Sequence, residues 1–71
     1  MKKYQVAAIT PQGTFYGALF GEEYLEENTA FLKKIEDFSS IRLEDDNGKI
    51  AFFSKQMIGR TVFVIQPIEE N

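Results

Sequence analysis

Few side chains in this chain could do chemistry, because it contains neither cysteine nor histidine. It therefore lacks thiolate ligands, the commonest metal ligand and the commonest general base. The only serines are Ser39, Ser40 and Ser54, and none has a histidine to activate it as a nucleophile. We expect no enzymatic activity, no metal site and no cofactor.

Two acidic clusters suggest other chemistry. The segment Asp45–Gly48 offers oxygen ligands of the kind that calcium prefers, but an EF-hand with this glycine at its sixth position would begin at Leu43. The pair Asn47-Gly48 is instead the strongest short-range signal of a hairpin turn. The glutamates between positions 22 and 27 are interpreted as the solvated face of a helix.

The segment 4–20 has the pattern of a β-hairpin. Aromatic and β-branched residues flank Thr10–Gly13, a turn with proline at its second position and glycine at its fourth. Gly17 interrupts the second strand, and a glycine inside a strand marks a bulge, a bend or a close backbone approach. We expect a bend, because a bend lets so small a sheet curl over its own core.

The segment 22–36 changes to the helical period. Its apolar side chains and Asn28 recur at spacings of three and four, which predicts a helix with one face against the sheet. This stripe consists of Tyr24, Leu25, Asn28, Phe31, Leu32 and Ile35. Glutamates crowd the first half while Lys33 and Lys34 lie near the end, an order that complements the helix dipole.

The rest of the chain is predicted to form three short strands. The predicted strands are 40–45, 49–54 and 61–67. The first two form a hairpin around Asp45–Gly48, and a tight connection at Lys55–Met57 or Ile58–Thr61 precedes the third. Pro67 is expected to end the last strand because proline cannot donate to a ladder, and residues 68–71 are expected to fray.

Two runs, Ile50–Phe53 and Val62–Ile65, are apolar on both faces and need cover on both. In 71 residues the helix can cover one face, and the curl of the sheet only part of the other. A domain this small buries only about 60% of its unfolded surface and usually needs disulfides, metals or oligomerisation. An unpaired edge strand such as Thr61–Gln66 is also an aggregation hazard, which a neighbouring copy would remove. We therefore predict a homo-oligomer, and a closed ring if pairing is head-to-tail.

Nothing in the chain has the pattern of a targeting or membrane segment. Met1-Lys2-Lys3 is followed by alternating residues, and no run approaches the roughly 18 apolar residues of a membrane span. We expect a soluble cytoplasmic protein with no membrane partner. The net charge of −3 weighs against broad binding to nucleic acid, but it leaves room for a small basic site.

The segment 40–67 resembles the C-terminal half of Sm and Sm-like (LSm) proteins, which include bacterial Sm-like RNA chaperones. Asp45–Gly48 matches the turn of that half, and Ser54–Gln56 stands at its polar signature. Ile58 takes the apolar position that follows, and Val62–Pro67 matches the final strand.

The N-terminal half shows one similarity, and two of the chain's departures from the family bear on the implied RNA site. Gly17–Leu19 is similar to the Gly-x-Leu of the family's strongly bent second strand. The helix at 22–36 stands where family members have a short RNA-contacting loop, and Ser-Lys replaces their Arg-Gly or Lys-His. If the helix is an insertion, the asparagine of the family's RNA-contacting loop aligns with Ser40 of this chain. The alternative alignment places it on Asn28 and makes 28–35 the third strand.

The resemblance implies a mainly β fold over residues 1–71. The expected fold is a small, strongly bent, five-stranded Sm-like (SH3-like) barrel with one helix between the second and third strands. The resemblance also implies a homo-oligomeric ring of about five to seven subunits. In such a ring the fourth strand of one subunit pairs with the fifth strand of the next.

Members of the family bind single-stranded RNA, often rich in uridine or adenine, through two loops near the pore. The residues implied to contact RNA here are Ser39, Ser40, Ser54, Lys55, Gln56 and Arg60. Lys55 would contact phosphate, and Gln56 or the serines would contact base edges. Recognition of this kind needs few charges, so an acidic subunit can perform it. The alternative is a structural or protein-interaction module in which Lys55 and Arg60 are solvated charges.

Overall fold

The computed structural model describes residues 2–69, and within them the secondary structure is mainly β. The strands are Lys2–Thr10 (β1), Gly13–Gly21 (β2), Ser40–Glu44 (β3), Ile50–Ser54 (β4) and Val62–Glu69 (β5). Helix α1, Leu25–Lys33, lies between β2 and β3, and helix α2, Lys55–Ile58, lies between β4 and β5. The strands form one antiparallel sheet in the order β4-β3-β2-β1-β5, so β4 and β5 are its edges. The predicted mainly β chain with five strands is confirmed.

The β1–β2 hairpin turns at Pro11 and Gln12, as predicted. Thr10 closes the turn, since its Oγ1 donates to the carbonyl of Gly13 at 2.7 Å and accepts the N–H of Gln12 at 3.2 Å. Gly13 has a φ of 133°, which residues with a Cβ rarely adopt. Local chemistry therefore sets the register of this hairpin.

Gly17 lies in a β-bulge and not at a simple bend. At this point Gly17 and Ala18 of β2 together oppose Val6 of β1. The side-chain amide of Gln5 donates to the carbonyl of Gly17 at 3.1 Å across the bulge. Because a bulge bends its strand and increases the local twist, it has the effect on the sheet that was expected of a bend.

The segment 22–36 is helical, as predicted. It comprises a 3₁₀ turn at Glu22–Tyr24, α1 at Leu25–Lys33 and a second 3₁₀ turn at Ile35–Asp37. Phe31 and Leu32 pack against the core, and Ile35 is only 8% exposed. The inclusion of Tyr24 in the stripe is wrong: it is 50% exposed, because it belongs to the 3₁₀ turn that precedes α1. No helix within residues 2–69 is long and apolar enough to cross a membrane.

Asp45 organises the turn between β3 and β4. Its Oδ1 accepts the backbone N–H groups of Asn47 and Lys49 at 2.9 and 2.8 Å, and Gly48 follows with a φ of 81°. The carboxylate thus satisfies backbone donors of its own turn, and the predicted turn is confirmed. Within residues 2–69, no group of three or more carboxylate, thiol or imidazole side chains is placed to hold a metal ion.

The core lies inside a curled sheet. Phe53 is 1% exposed, and its ring contacts those of Phe15 and Phe63 at centroid distances of 5.8 and 6.1 Å. Phe53 and Phe63 belong to the two edge strands, which in a flat sheet would be about 19 Å apart. The sheet therefore curls until inward side chains of both edges meet. It remains open, because β4 and β5 do not pair with each other in the described part of the chain.

Three expectations for the C-terminal part are wrong. The connection between β4 and β5 is not only a tight turn but contains α2, a second helix, because Ile58 is drawn into the core and is 2% exposed. Pro67 does not end the last strand, which pairs with β1 as far as Glu69 opposite Lys2. Proline is tolerated there because β5 is an edge strand. Of the tail expected to fray, Ile68 and Glu69 are instead paired with β1, and residues 70–71 lie outside the described residues.

The single chain covers the two apolar runs only in part. In β4, Phe53 and Ala51 face the core, whereas Ile50 is 44% exposed and Phe52 is 70% exposed. In β5, Val62 is 60% exposed. A single chain therefore leaves apolar side chains of both edge strands in contact with water.

Candidate nucleic-acid interface

The two implied contact loops meet at one end of the β3–β4 hairpin. Ser39 precedes β3 and Ser40 opens it, and both are exposed. Ser40 is the direct cross-strand partner of Ser54, the last residue of β4. Because such partners have Cβ atoms about 4.5–5.5 Å apart, the two loops form one continuous surface.

Asn28, the alternative to Ser40 as the loop asparagine, lies in α1. Its side-chain amide donates to the carbonyl of Tyr24 at 2.9 Å, within the helical segment. The alternative alignment, with a third strand at 28–35, is therefore wrong, since residues 28–33 are helical. The structure is compatible only with a helix in this segment, which the other alignment assumes.

Ser54 has a structural role of its own as the N-cap of α2. Its backbone is extended, with φ −72° and ψ 167°, and its Oγ accepts the N–H of Met57 at 3.4 Å. N-cap serines contribute about 0.5–2 kcal/mol to helix stability, and a bond this long belongs near the lower end. The hydroxyl hydrogen of Ser54 remains available as a donor, so capping and a contact to a ligand are compatible.

Lys55 and Gln56 directly follow Ser54 and are exposed on the first turn of α2. In residues 2–69 the only ion pair joins Arg42 to Glu44 at 3.4 Å, so Lys55 has no acidic partner in that part of the chain. A lysine without such a partner is free to contact an external anion. Together with the serines it forms a polar, weakly basic surface.

Arg60 follows α2, and its backbone N–H donates to the carbonyl of Met57 at 3.0 Å. It stands two residues before Val62, which pairs with Ile9 near the β1–β2 turn. There it borders a shallow hollow of about 320 Å³. The other residues that line this hollow are Thr10, Pro11, Gln12, Met57 and Thr61. The structure thus brings Ser39, Ser40, Ser54, Lys55 and Gln56 together and places Arg60 at the end of α2, beside the β1–β2 turn.

Sequence reasoning misses two features of this region. The first is α2, although Ser54 before a short run without glycine or proline is a signal of a helix start. The second is a solvent-facing row on the β3–β4 hairpin, where Phe52 pairs with Arg42 and Ile50 with Glu44. Alternation does not separate inward from outward residues in a run that is apolar throughout.

No protein-family model, no curated protein and no solved structure matches this chain. The resemblance to Sm-like proteins therefore rests on the residue pattern described above.

Proposed function

We propose that this chain is an Sm-like protein that forms a cytoplasmic homo-oligomeric ring and binds single-stranded RNA. The observation that carries the proposal is the cross-strand pairing of Ser40 with Ser54. This pairing brings the implied contact residues of two separate loops together at one end of the β3–β4 hairpin. A polar surface with little charge suits single-stranded RNA, whose unstacked bases offer their hydrogen-bonding edges.

The strand order supports head-to-tail assembly. β4 and β5 are the two edges of the sheet, and in the described residues neither has a strand partner on its outer side. In the proposed ring of about five to seven subunits, β4 of one chain pairs with β5 of the next, so that no copy keeps an open edge. The curled sheet of each subunit is then a strongly bent Sm-like (SH3-like) barrel.

Repetition around a ring offsets the low charge of each subunit. One chain contributes Lys55 as a single cation beside the serines, within a net charge of −3. In a ring, the same lysine recurs at regular intervals, so a bound strand meets several cations in succession. Each neutralised phosphate contributes about 0.7 to the slope of log affinity against log salt for single strands.

Titration of labelled oligo-U and oligo-A at low salt, followed by fluorescence anisotropy, tests the RNA proposal. We expect binding that weakens as salt rises and that Lys55→Ala reduces together with the salt slope. Lys49→Ala is the matched control, because Lys49 lies at the opposite end of β4 and should leave binding unchanged. Absence of binding at micromolar protein in low salt would overturn the proposal.

A ring that serves only as a structural or protein-interaction module is the second candidate. It is favoured by the hydrogen bond from the N–H of Met57 to Ser54, which gives one of the implied contact residues a structural task that needs no RNA. Light scattering tests what both candidates share, since a monomer at every concentration would refute either ring. A ring that binds neither oligonucleotide would support the second candidate over the first.

A further inference from the structure

The β3–β4 hairpin carries an uncovered patch on its solvent-facing side. This outer patch consists of Tyr16, Arg42, Glu44, Ile50 and Phe52. Phe52 pairs with Arg42, Ile50 with Glu44, and Glu44 with Tyr16, so the five side chains lie on one face of the sheet. Phe52 is 70% exposed and Ile50 is 44% exposed, whereas the opposite face of the hairpin packs into the core. An outward phenylalanine of this exposure suggests a contact surface.

The two charges of the outer patch cancel. The guanidinium of Arg42 lies 3.4 Å from the carboxylate of Glu44, and the two side chains are 54% and 50% exposed. A strongly acidic or basic partner would gain little from a surface with one charge of each sign. A second copy of this chain, in contrast, brings the same two charges and can place each opposite its counterpart. Such self-complementarity is what a two-fold contact requires.

We propose that two copies of this chain pack outer patch against outer patch. The two-fold axis lies in the interface, perpendicular to the strands and level with Leu43. Arg42 of each copy then faces Glu44 of the other, and Phe52 of each faces Ile50 of the other. An axis parallel to the strands and running along β3 would instead place Arg42 opposite Arg42, which like-charge repulsion disfavours, and one running between β3 and β4 would place Arg42 opposite Phe52 and leave its charge without a counterpart. The charges therefore select one orientation of the apolar contact.

A single pair of outer patches makes a small interface. Stable specific interfaces bury about 800 Å² per partner, and five side chains cover on the order of half of that area. The isolated pair is therefore weak, and its population rises with protein concentration. In the proposed ring the patch recurs in every subunit, so two rings would associate through several contacts at once. This last step rests on the proposed ring, whereas the pairwise contact does not.

Charge reversal provides a test that separates contacts between copies from contacts within one chain. Arg42→Glu leaves each copy with two acidic side chains in the patch, and Glu44→Arg leaves each copy with two basic ones. In a solution of either variant alone, two chains should repel each other through the like charges of their outer patches. An equimolar mixture should associate again, because each interface then places acid opposite base. Mixing cannot restore the pair within a chain, since every variant chain retains its own like charges.

The masses of the wild type, of each variant and of the mixture are to be measured by sedimentation velocity. We expect each charge-reversal variant to show half the mass of the wild type, and the mixture to regain the full mass. Phe52→Ser should also halve the mass without loss of far-UV circular dichroism, which keeps the test valid if a charge-reversal variant fails to fold. Equal masses of the wild type and Arg42→Glu, or a mixture that stays at half mass, would overturn the proposal.

The same measurements distinguish this contact from the proposed ring. A wild type in monomer–dimer equilibrium, with dimers lost in Arg42→Glu, would support the contact and refute the ring. A wild-type ring of unchanged mass in every variant would support the ring and refute the contact. If Phe52→Ser abolishes oligonucleotide binding at unchanged mass, the outer patch serves RNA and the pairing of copies is refuted.

Discussion

Two adjacent phenylalanines of β4 provide a matched pair of truncations. Phe53→Ala removes a ring that is 1% exposed, and Phe52→Ala removes a ring that is 70% exposed. The chemical change is the same, and the two positions share a strand. The difference between their unfolding free energies therefore reports burial and not strand propensity.

The expected cost of Phe53→Ala follows from its contacts. Truncation of a core phenylalanine to alanine costs about 3–5 kcal/mol, from lost transfer free energy and from the cavity left behind. The rings of Phe15 and Phe63 lie at interplanar angles of 78° and 62° to Phe53, and loss of these edge contacts favours the upper part of that range. A domain of this size has about 4–11 kcal/mol of stability in total. Phe52→Ala should cost about 0.5 kcal/mol or less in the isolated chain.

Urea denaturation followed by far-UV circular dichroism measures both costs. With a slope near 1 kcal/mol per molar urea, Phe53→Ala should lower the midpoint by about 4–5 M or leave the chain unfolded in buffer. The experiment is to be repeated at a tenfold higher protein concentration. The loss caused by Phe53→Ala should not depend on concentration, whereas any loss caused by Phe52→Ala should grow with it, because it arises from assembly.

Equal midpoint losses for the two variants at the lower concentration would refute this reasoning. They would mean that Phe52 is buried within the single chain, or that the ring of Phe53 contributes little to the core. A loss for Phe53→Ala that disappears at high concentration would also contradict it, because the contacts of Phe53 with other phenylalanines lie within one chain.

Three further predictions concern turns and caps and use the same urea assay. Gly48→Ala should cost about 1 kcal/mol because its φ is 81°, whereas Gly17→Ala should be neutral or slightly stabilising, since an added Cβ would meet its nearest neighbour at an ordinary 3.6 Å; equal losses would contradict this. Asp45→Ala should cost about 1–2 kcal/mol, because two backbone N–H groups lose their acceptor, and a cost no greater than that of Asp46→Ala would argue against it. Ser54→Ala should cost about 0.5 kcal/mol through the lost cap, and an unchanged midpoint would show that the 3.4 Å bond contributes nothing.

The candidate site was accessible to sequence reasoning only in part. The pairing of Ser40 with Ser54 follows from the register of the β3–β4 hairpin, which the Asp45–Gly48 turn sets locally. The position of Arg60 depends instead on where α2 ends, and α2 is held by Ile58 in the core. A contact between segments distant in sequence decides that position, so no local pattern predicts it.

Local chemistry in the sequence determined the two hairpins and α1, but not α2. Turn residues placed both hairpins, and the helical period of residues 22–36 predicted α1, because these signals act between residues a few positions apart. Tertiary structure alone decided which face of each apolar run is covered, that β5 continues through Pro67, and that both edge strands stay open. The reason is that burial depends on which strands the curl of the sheet brings together. The sequence shows that Phe52 and Phe53 are both apolar, and only the folded sheet turns one inward and the other towards solvent.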